Sequence, residues 1–232
     1  MNRDRVIPLA ALIALGAGTA AAMTPPLAQA DLLVTQWLQR YASPAFDVTL
    51  SILTIAGNAE VAAVVAGLIG VTLIRSGRAT LAMALWAIFI GGSGIEWIFK
   101  HWLPHPGVPE SLQRPGVNIL HYILRTPYSY LSGHAFRTLL LATVASWLWS
   151  GPERSQRGLP YLLGAAVGGM GVALVYLGDH WASEVIGGYL LAALGIALLR
   201  RRYRSVAWRL ARASSIVGSS ESTEASEASK ST

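Results

Sequence analysis

Hydrophobic residues in this chain fall in long uninterrupted runs, not at the spacing of an amphipathic helix or of a half-buried strand. Runs of about 18 apolar residues are long enough to cross a membrane as a helix. The pattern therefore predicts an all-α membrane protein with about six transmembrane helices. Their approximate bounds are 6–23, 60–74, 79–99, 134–149, 159–178 and 183–199.

The first apolar run has two interpretations. It follows a basic start, as a transmembrane helix can, but Ala28-Gln29-Ala30 lies shortly after it and fits the small-x-small site at which signal peptides are cleaved. We favour the uncleaved helix; a cleaved signal leaves five spans. The segment 31–57 then mixes aromatic and polar residues, which indicates a partly amphipathic segment at the membrane interface.

The composition supports a single membrane domain. Of the 232 residues, 53% are hydrophobic and 13% are charged, and the mean hydropathy is +0.46. A soluble domain of this size could not cover so much apolar surface. We divide the chain into an N-terminal transmembrane helix or signal segment (1–30), a membrane domain (31–204) and a cytoplasmic tail (205–232). The tail is rich in Ser, Glu and Ala, which predicts disorder.

Cysteine content and the distribution of charge argue against cysteine-dependent sites and against nucleic-acid binding. The chain has no cysteine, which excludes disulfides, thiol catalysis and cysteine metal sites. Its net charge is +6, but the basic residues lie in short loops between apolar runs. Because no basic helix or interleaving of aromatic and basic residues is present, we expect no nucleic-acid partner. These residues instead set the membrane topology and contact anionic lipid headgroups.

Four groups of arginines lie on alternate connections or at the ends of the predicted spans, so the positive-inside rule can place all four groups in the cytoplasm. They are Arg3 with Arg5, Arg75 with Arg78, Arg154 with Arg157, and Arg200 with Arg201, Arg202 and Arg204. Both termini are then cytoplasmic, and the 100–133 stretch and the 179–182 turn share the non-cytoplasmic side. We expect an integral protein of the cell (inner) membrane.

Two polar clusters meet on that side. One is Ser132-Gly133-His134 at the start of the fourth span, and the other runs from His180 to Glu184 between the fifth and sixth. Ionisable groups that face one another at span ends are candidates for a functional site. Each cluster alone also has a structural interpretation. Ser132 could cap a helix, and His180 could be an interfacial histidine beside Trp181.

These clusters resemble the motifs of the type 2 phosphatidic acid phosphatase (PAP2) family. That family has a lysine followed after six residues by Arg-Pro, then Pro-Ser-Gly-His, then Ser-Arg followed after five residues by His and after three more by Asp. The resemblance covers residues 47–200 in layout and is closest over 178–188. The matching residues are Lys100, Ser132-Gly133-His134, His180 and Glu184.

The resemblance implies a phosphatase chemistry for the two histidines. His180 would attack phosphorus and form a phosphohistidine, while Glu184, in place of the family's Asp, would orient the imidazole. A histidine nucleophile needs one unprotonated nitrogen, and a carboxylate on the other nitrogen fixes that tautomer. His134 would protonate the leaving group as a general acid.

The resemblance also implies how phosphate is held. Ser132 and the backbone N–H of Gly133 would bind phosphate oxygens at a helix N-terminus, and Lys100 would neutralise charge. It implies no metal and no cofactor. In addition, His101, His105 and His121 are irregularly spaced and lack a carboxylate pair, so we expect no metal site.

Besides Glu184, the chain departs from the family at three places. Gly107-Val108 stands where the first motif has Arg-Pro, Leu174 stands where the third motif has its arginine, and Leu131 replaces the proline before Ser132. Two phosphate-binding arginines are therefore missing, although a phosphoryl group in transfer needs several fixed cations.

Four residues are candidates to replace them. Arg137 lies three residues after His134, on the same helical face, and an arginine inside an apolar span is costly unless it has a role. His105 lies in the region of the first motif. Arg114 and Arg125 are on the same predicted loop, where a solvated loop charge is the simpler interpretation. Lys100 has a structural alternative as well, since Glu96 lies four residues before it.

The leading hypothesis is an integral membrane lipid-phosphate phosphatase that hydrolyses a phosphomonoester or diphosphate, such as phosphatidic acid or polyprenyl diphosphate. The alternative is a degenerate PAP2-like protein that binds or transports lipid phosphates without hydrolysis. The position of Arg137 discriminates between them. A guanidinium close to His134 and His180 favours the phosphatase, and one packed against a distant helix favours the alternative.

Overall fold

The computed structural model describes residues 3–116, 126–149 and 158–200. Within these ranges the chain is all-α, as predicted. The tail (205–232), Arg125, Arg154, Arg157 and the basic residues after Arg200 lie outside the described residues. The helices are α1 (Arg3–Ala22), α2 (Pro25–Gln39), α3 (Pro44–Thr54), α4 (Ala59–Arg75), α5 (Ala79–Trp102), α6 (Gly133–Trp149), α7 (Leu159–Leu177) and α8 (Ala182–Arg200).

Three helices, α5, α7 and α8, are each long and apolar enough to cross a membrane. Two bent pairs pass the same test when each pair counts as one span: α1 with α2, bent by 85°, and α3 with α4, bent by 49°. The described chain therefore holds three to five such spans. The remaining predicted span, α6, has 17 residues, at the short end of what a bilayer requires.

Local sequence explains where α2 and α3 begin. Pro25 and Pro44 lie at the first positions of α2 and α3, where a missing N–H costs nothing and a fixed φ favours the helix. The hydroxyl of Ser43 accepts a hydrogen bond from the backbone N–H of Phe46 at 3.3 Å and so caps α3. The segment predicted to be interfacial therefore forms two short helices, and its depth in the membrane stays a prediction.

The core lies where α4, α5 and α6 pack together. Leu73, Leu85 and Leu140, one from each helix, are fully buried. Gly92 of α5 admits the ring of Phe136, since a Cβ at that position would lie 2.1 Å from the ring. Many other large apolar residues, such as Leu68, Met83 and Ile90, point outward, as expected for helices that face lipid on one side.

Helix ends and connections gather at one end of the bundle, where α5 ends and α6 and α8 begin; we call it the site end. The backbone N–H of Tyr128 donates to the carbonyl of Lys100 at 3.1 Å, and that of Ser132 donates to the carbonyl of Glu184 at 3.0 Å. The chain between α5 and α6 is thus held against both neighbouring helix ends. The two polar clusters predicted from sequence come together here.

Candidate functional site

The turn between α7 and α8 fixes the position of His180. Gly178 has φ +72°, and a Cβ there would lie 2.3 Å from the carbonyl oxygen of Leu112, so only glycine fits. Asp31 of α2 accepts hydrogen bonds from the backbone N–H and the hydroxyl of Ser183 at 2.8 and 2.5 Å. This buried carboxylate therefore caps α8 from another helix.

His180 is paired with Glu184, one turn further along the chain. Nδ1 of His180 donates to Oε2 of Glu184 at 2.6 Å. Both residues are buried, and Glu184 is fully so. Its second oxygen, Oε1, accepts from Nδ1 of His105 at 3.0 Å and from the hydroxyl of Ser129. The carboxylate is thus held between two histidines and a hydroxyl.

His105, predicted to contact phosphate, contacts the oxygen of Glu184 that does not bind His180. It is buried, and its backbone carbonyl accepts from the N–H of Ser129 at 3.1 Å. Ser129 was missed by sequence reasoning. A serine in an irregular connection carries no spacing signal, and only the fold brings it beside a residue 55 positions away.

His134 lies in the first turn of α6 and faces His180, with a distance of 6.0 Å between the ring centroids. Its Nε2 lies 2.9 Å from Oδ1 of Asn58. Gly57 packs directly on the imidazole, since a Cβ there would lie 2.7 Å from it. Asn58 was not among the predicted residues, because nothing in the sequence links the start of α4 to the start of α6.

Arg137 lies one turn further along α6 and belongs to the same cluster. Its Nε donates to the carbonyl of Gly57 at 3.0 Å, and its Nη1 lies 2.7 Å from Oε2 of Glu96. The peptide of Gly57 thus lies between Arg137 and the ring of His134. Arg137 is thus linked to His134 through Gly57, and direct reach of its guanidinium to His134 and His180 stays a prediction.

Glu96 joins Arg137 to Lys100. Nζ of Lys100 lies 3.0 Å from Oε1 of Glu96, which is the helical pairing that the sequence left open. Glu96 is buried, and its carboxylate rests against Gly133. Sequence reasoning treated Glu96 only as a partner of Lys100 and missed its contacts with α6.

Ser132 is fully buried, and its hydroxyl accepts from the backbone N–H of Ala135 at 3.3 Å. It therefore caps α6, as the structural interpretation of the sequence anticipated. Gly133 is the first residue of α6, so its N–H lies at the positive end of the helix. Phosphate binding by these two residues stays a prediction.

The chain is similar in structure to the crystal structure of the first transmembrane PAP2 type phosphatidylglycerolphosphate phosphatase from Bacillus subtilis, with a TM-score of 0.71. The chain has a PAP2-type fold. The sequences are 16% identical over 86% of this chain and 97% of the other. No protein-family model and no curated protein sequence matches the chain. The apolar helices and this fold identify an integral membrane protein.

Within the PAP2-type fold, the positions of the missing arginines hold no charge. Leu174 is fully buried in an apolar cluster with Ala135, Met170 and Val185. Gly107 lies on the connection after α5, where a Cβ would lie 3.6 Å from Ser129. Neither position therefore supplies a cation.

Arg114 is engaged at a second cluster on the connection after α5. Its Nε and Nη2 donate to the two oxygens of Asp47 at 3.2 and 2.9 Å, and the hydroxyl of Tyr176 donates to the same carboxylate at 2.7 Å. The hydrogen bond to Asp47 raises the pKa of Arg114 above its ordinary value. Arg114 thus ties this connection to α3 and α7.

Across 3–116, 126–149 and 158–200, no group of three or more His, Asp or Glu side chains is arranged to hold a metal ion. The carboxylate of Glu184 contacts histidines through their Nδ1 atoms, which is the arrangement of an orienting carboxylate.

Proposed function

We propose that this protein is an integral membrane phosphatase that removes a phosphate group from a lipid, through a phosphohistidine formed on His180. The observation that carries the proposal is the buried pair of His180 and Glu184, at 2.6 Å, facing the imidazole of His134. Taken singly, a buried His–Glu pair is a common structural contact. Beside a second histidine and two cations, it has the parts that phosphoryl transfer requires.

The first step forms a bond between His180 and phosphorus. Because Nδ1 donates to Glu184, the neutral imidazole keeps its lone pair on Nε2, which attacks. The bond between phosphorus and the leaving oxygen breaks as the N–P bond forms. His134 gives that oxygen a proton, and Glu184 stabilises the positive charge on the His180 ring.

The second step hydrolyses the phosphohistidine and regenerates the free enzyme. Water attacks the phosphohistidine, His134 accepts the water proton as a general base, and the N–P bond breaks to give inorganic phosphate. His180 returns to its neutral form with Nδ1 still bonded to Glu184. The sum of the two steps is the hydrolysis of one phosphate ester or diphosphate bond.

Charge on the phosphoryl oxygens is balanced by Lys100, Arg137 and the N-terminus of α6. Fixed donors aimed at developing charge contribute most when water is excluded, and the side chain of Arg137 is 7% exposed. Arginine binds phosphate with a planar fork of donors. In this proposal Arg137 replaces the family arginines whose positions hold Gly107 and Leu174.

The substrate we propose is a lipid phosphate whose headgroup lies at the membrane interface. A site at the ends of membrane helices suits an amphiphile that arrives from the bilayer. Candidate substrates are phosphatidic acid and polyprenyl diphosphate. Phosphatidylglycerol phosphate is a third, because it is the substrate named for the similar structure. We propose that the site opens on the non-cytoplasmic side of the cell membrane, as the distribution of basic residues predicts.

A second candidate function is the binding or transport of lipid phosphates without hydrolysis. Two observations favour it: the uncharged residues at the arginine positions, and the pairing of both site cations with Glu96. A site with too little positive charge could hold a phosphate yet stabilise its transition state poorly.

The test is release of phosphate by the full-length protein in detergent, with a chelator present, from each of the three lipids. We expect release by the wild type, loss of release in His180→Ala, and strong loss in Arg137→Ala. His101→Ala and Arg75→Ala are matched controls. His101 lies at the site end but its ring packs on Trp97, and Arg75 lies at the far end of α4, about 25 Å along the helix from the site.

The same assay separates the two functions. Release that persists in His180→Ala would contradict the histidine mechanism. Binding of labelled lipid phosphate by the wild type without release would favour the second function.

A further inference from the structure

The carboxylate of Glu96 lies at the position where the cations of the site converge. It accepts from Lys100 at 3.0 Å and from Arg137 at 2.7 Å, and it rests against Gly133 at the start of α6. These are the groups that would hold a phosphate under the function proposed above, on which this inference rests. We propose that Glu96 is an internal anion that occupies the phosphate position until a more highly charged phosphate displaces it.

A simple helical ion pair would not have this arrangement. An exposed pair at i and i+4 contributes little and needs no third partner. Here the carboxylate is buried and takes its second cation from α6. A Cβ on residue 133 would lie 2.1 Å from Oε1 of Glu96, so the space that the carboxylate fills exists only because that residue is glycine.

The charge of the cluster shows why the carboxylate affects specificity. Lys100 and Arg137 carry two positive charges and Glu96 one negative charge, which leaves one net positive charge. A phosphate placed beside the carboxylate would be repelled by it, so binding requires that Glu96 swings out. The incoming group must therefore interact with the cations better than a carboxylate does.

This exchange selects one class of lipid headgroup. A phosphomonoester carries about 1.5 to 2 negative charges near neutral pH, whereas a phosphodiester carries one, the same as Glu96. The bilayer that surrounds the site is made of phosphodiester lipids at high concentration. We infer that Glu96 keeps these monoanions out and admits phosphomonoesters and diphosphates.

The test measures anion binding without turnover. Thermal unfolding of the full-length protein in detergent is followed against inorganic phosphate and against dimethyl phosphate, a soluble monoanionic diester. Glu96→Gln keeps the shape and removes the charge. We expect it to bind phosphate roughly tenfold or more tightly than the wild type, because a repelling charge a few ångströms away is removed. Dimethyl phosphate should raise Tm in this variant and leave the wild type unchanged.

Glu60→Gln is the matched control. This carboxylate lies in the first turn of α4, near the site end, and is exposed. We expect its phosphate and diester responses to equal those of the wild type. A similar gain in Glu60→Gln would overturn the inference, since it would show a general effect of net charge.

A double variant guards against unfolding of Glu96→Gln, which leaves two buried cations without their carboxylate. Lys100→Met alone removes one positive charge and should abolish the phosphate response. Glu96→Gln combined with Lys100→Met restores one net positive charge and should return phosphate binding to near the wild-type level. If Glu96 only positions the two cations, the double variant will show no phosphate response, like Lys100→Met alone, and the inference is overturned.

Failure of the inference and failure of the proposed function give different results. If the wild type releases phosphate from lipid but Glu96→Gln gains no affinity, the inference is wrong and the phosphatase remains. If Glu96→Gln gains affinity in a protein that releases no phosphate, the inference is supported and the hydrolytic function is wrong.

Discussion

Two buried glutamates form the two halves of this site, and each lies four residues from a basic partner on the same stretch of chain. Glu184 pairs with His180, and Glu96 pairs with Lys100. Their second oxygens differ. That of Glu184 contacts His105 and Ser129, whereas that of Glu96 contacts Arg137. In the proposed mechanism, the first glutamate orients an imidazole and the second pairs with cations that the substrate also needs.

A glutamate four residues from a basic partner is thus expected to assist the reaction in one case and to oppose phosphate binding in the other. Removing the charge of Glu184 should impair the reaction, because the His180 tautomer is no longer fixed. Removing the charge of Glu96 should strengthen phosphate binding, because the cations become available. The predictions below test this contrast, in order of decreasing effect.

The largest effect is expected for Glu184→Gln. An amide can accept from His180 but cannot stabilise an imidazolium, so kcat should fall by roughly 1,000-fold. Phosphate affinity, measured by the thermal shift, should stay near the wild-type value because the cations are untouched. A fall in affinity equal to the fall in kcat would remove the distinction between the two glutamates.

Substitution of Arg137 should have the second-largest effect on activity. Arg137→Lys keeps a charge but loses the two-point contact with Glu96 and Gly57, and we expect kcat/KM for lipid phosphate to fall by roughly 100-fold. Steady-state kinetics with Arg75→Lys as the control checks this. Equal activity of the wild type and Arg137→Lys would contradict a direct contact between this guanidinium and phosphate.

His105 should have a smaller effect, because it acts through Glu184. We expect His105→Ala to lower kcat by roughly tenfold while KM stays constant, as for other partners that orient a catalytic group. His105→Asn, which can still donate to Glu184, should recover part of the loss. If His105 instead binds phosphate directly, as the sequence suggested, KM will rise.

Ser132→Ala should have the smallest effect on activity and a measurable effect on folding. Loss of the cap of α6 should lower the free energy of unfolding by about 1 kcal/mol. Thermal unfolding in detergent measures this change, with Ser76→Ala as a control at an exposed helix end. A loss of phosphate binding that exceeds the loss of stability would indicate a direct contact between Ser132 and phosphate.

Much of the fold could be predicted from the sequence, because membrane helices are visible in it as long apolar runs. The start of α5 at Ala79 and of α7 at Leu159 agree with the predicted bounds. The bends were not predicted, because the pattern of apolar residues does not give the angles of 85° and 49° within the two bent pairs.

The site was predictable only where its contacts follow helical spacing. The pairs His180–Glu184 and Glu96–Lys100 lie four residues apart, and the sequence reveals them. The contacts of Ser129, of Asn58 and of Arg137 with Glu96 link distant parts of the chain. No periodicity encodes such contacts, so the second partner of each glutamate appears only in the folded protein.

The central claim is that His180 carries the phosphoryl group. The most direct measurement is rapid chemical quench of the full-length protein with radiolabelled lipid phosphate, followed by mapping of the labelled peptide. We predict an adduct on the peptide that contains His180, stable to base and labile to acid, and absent from His180→Ala. Phosphate released at the normal rate with no label on that peptide at any quench time would contradict the account.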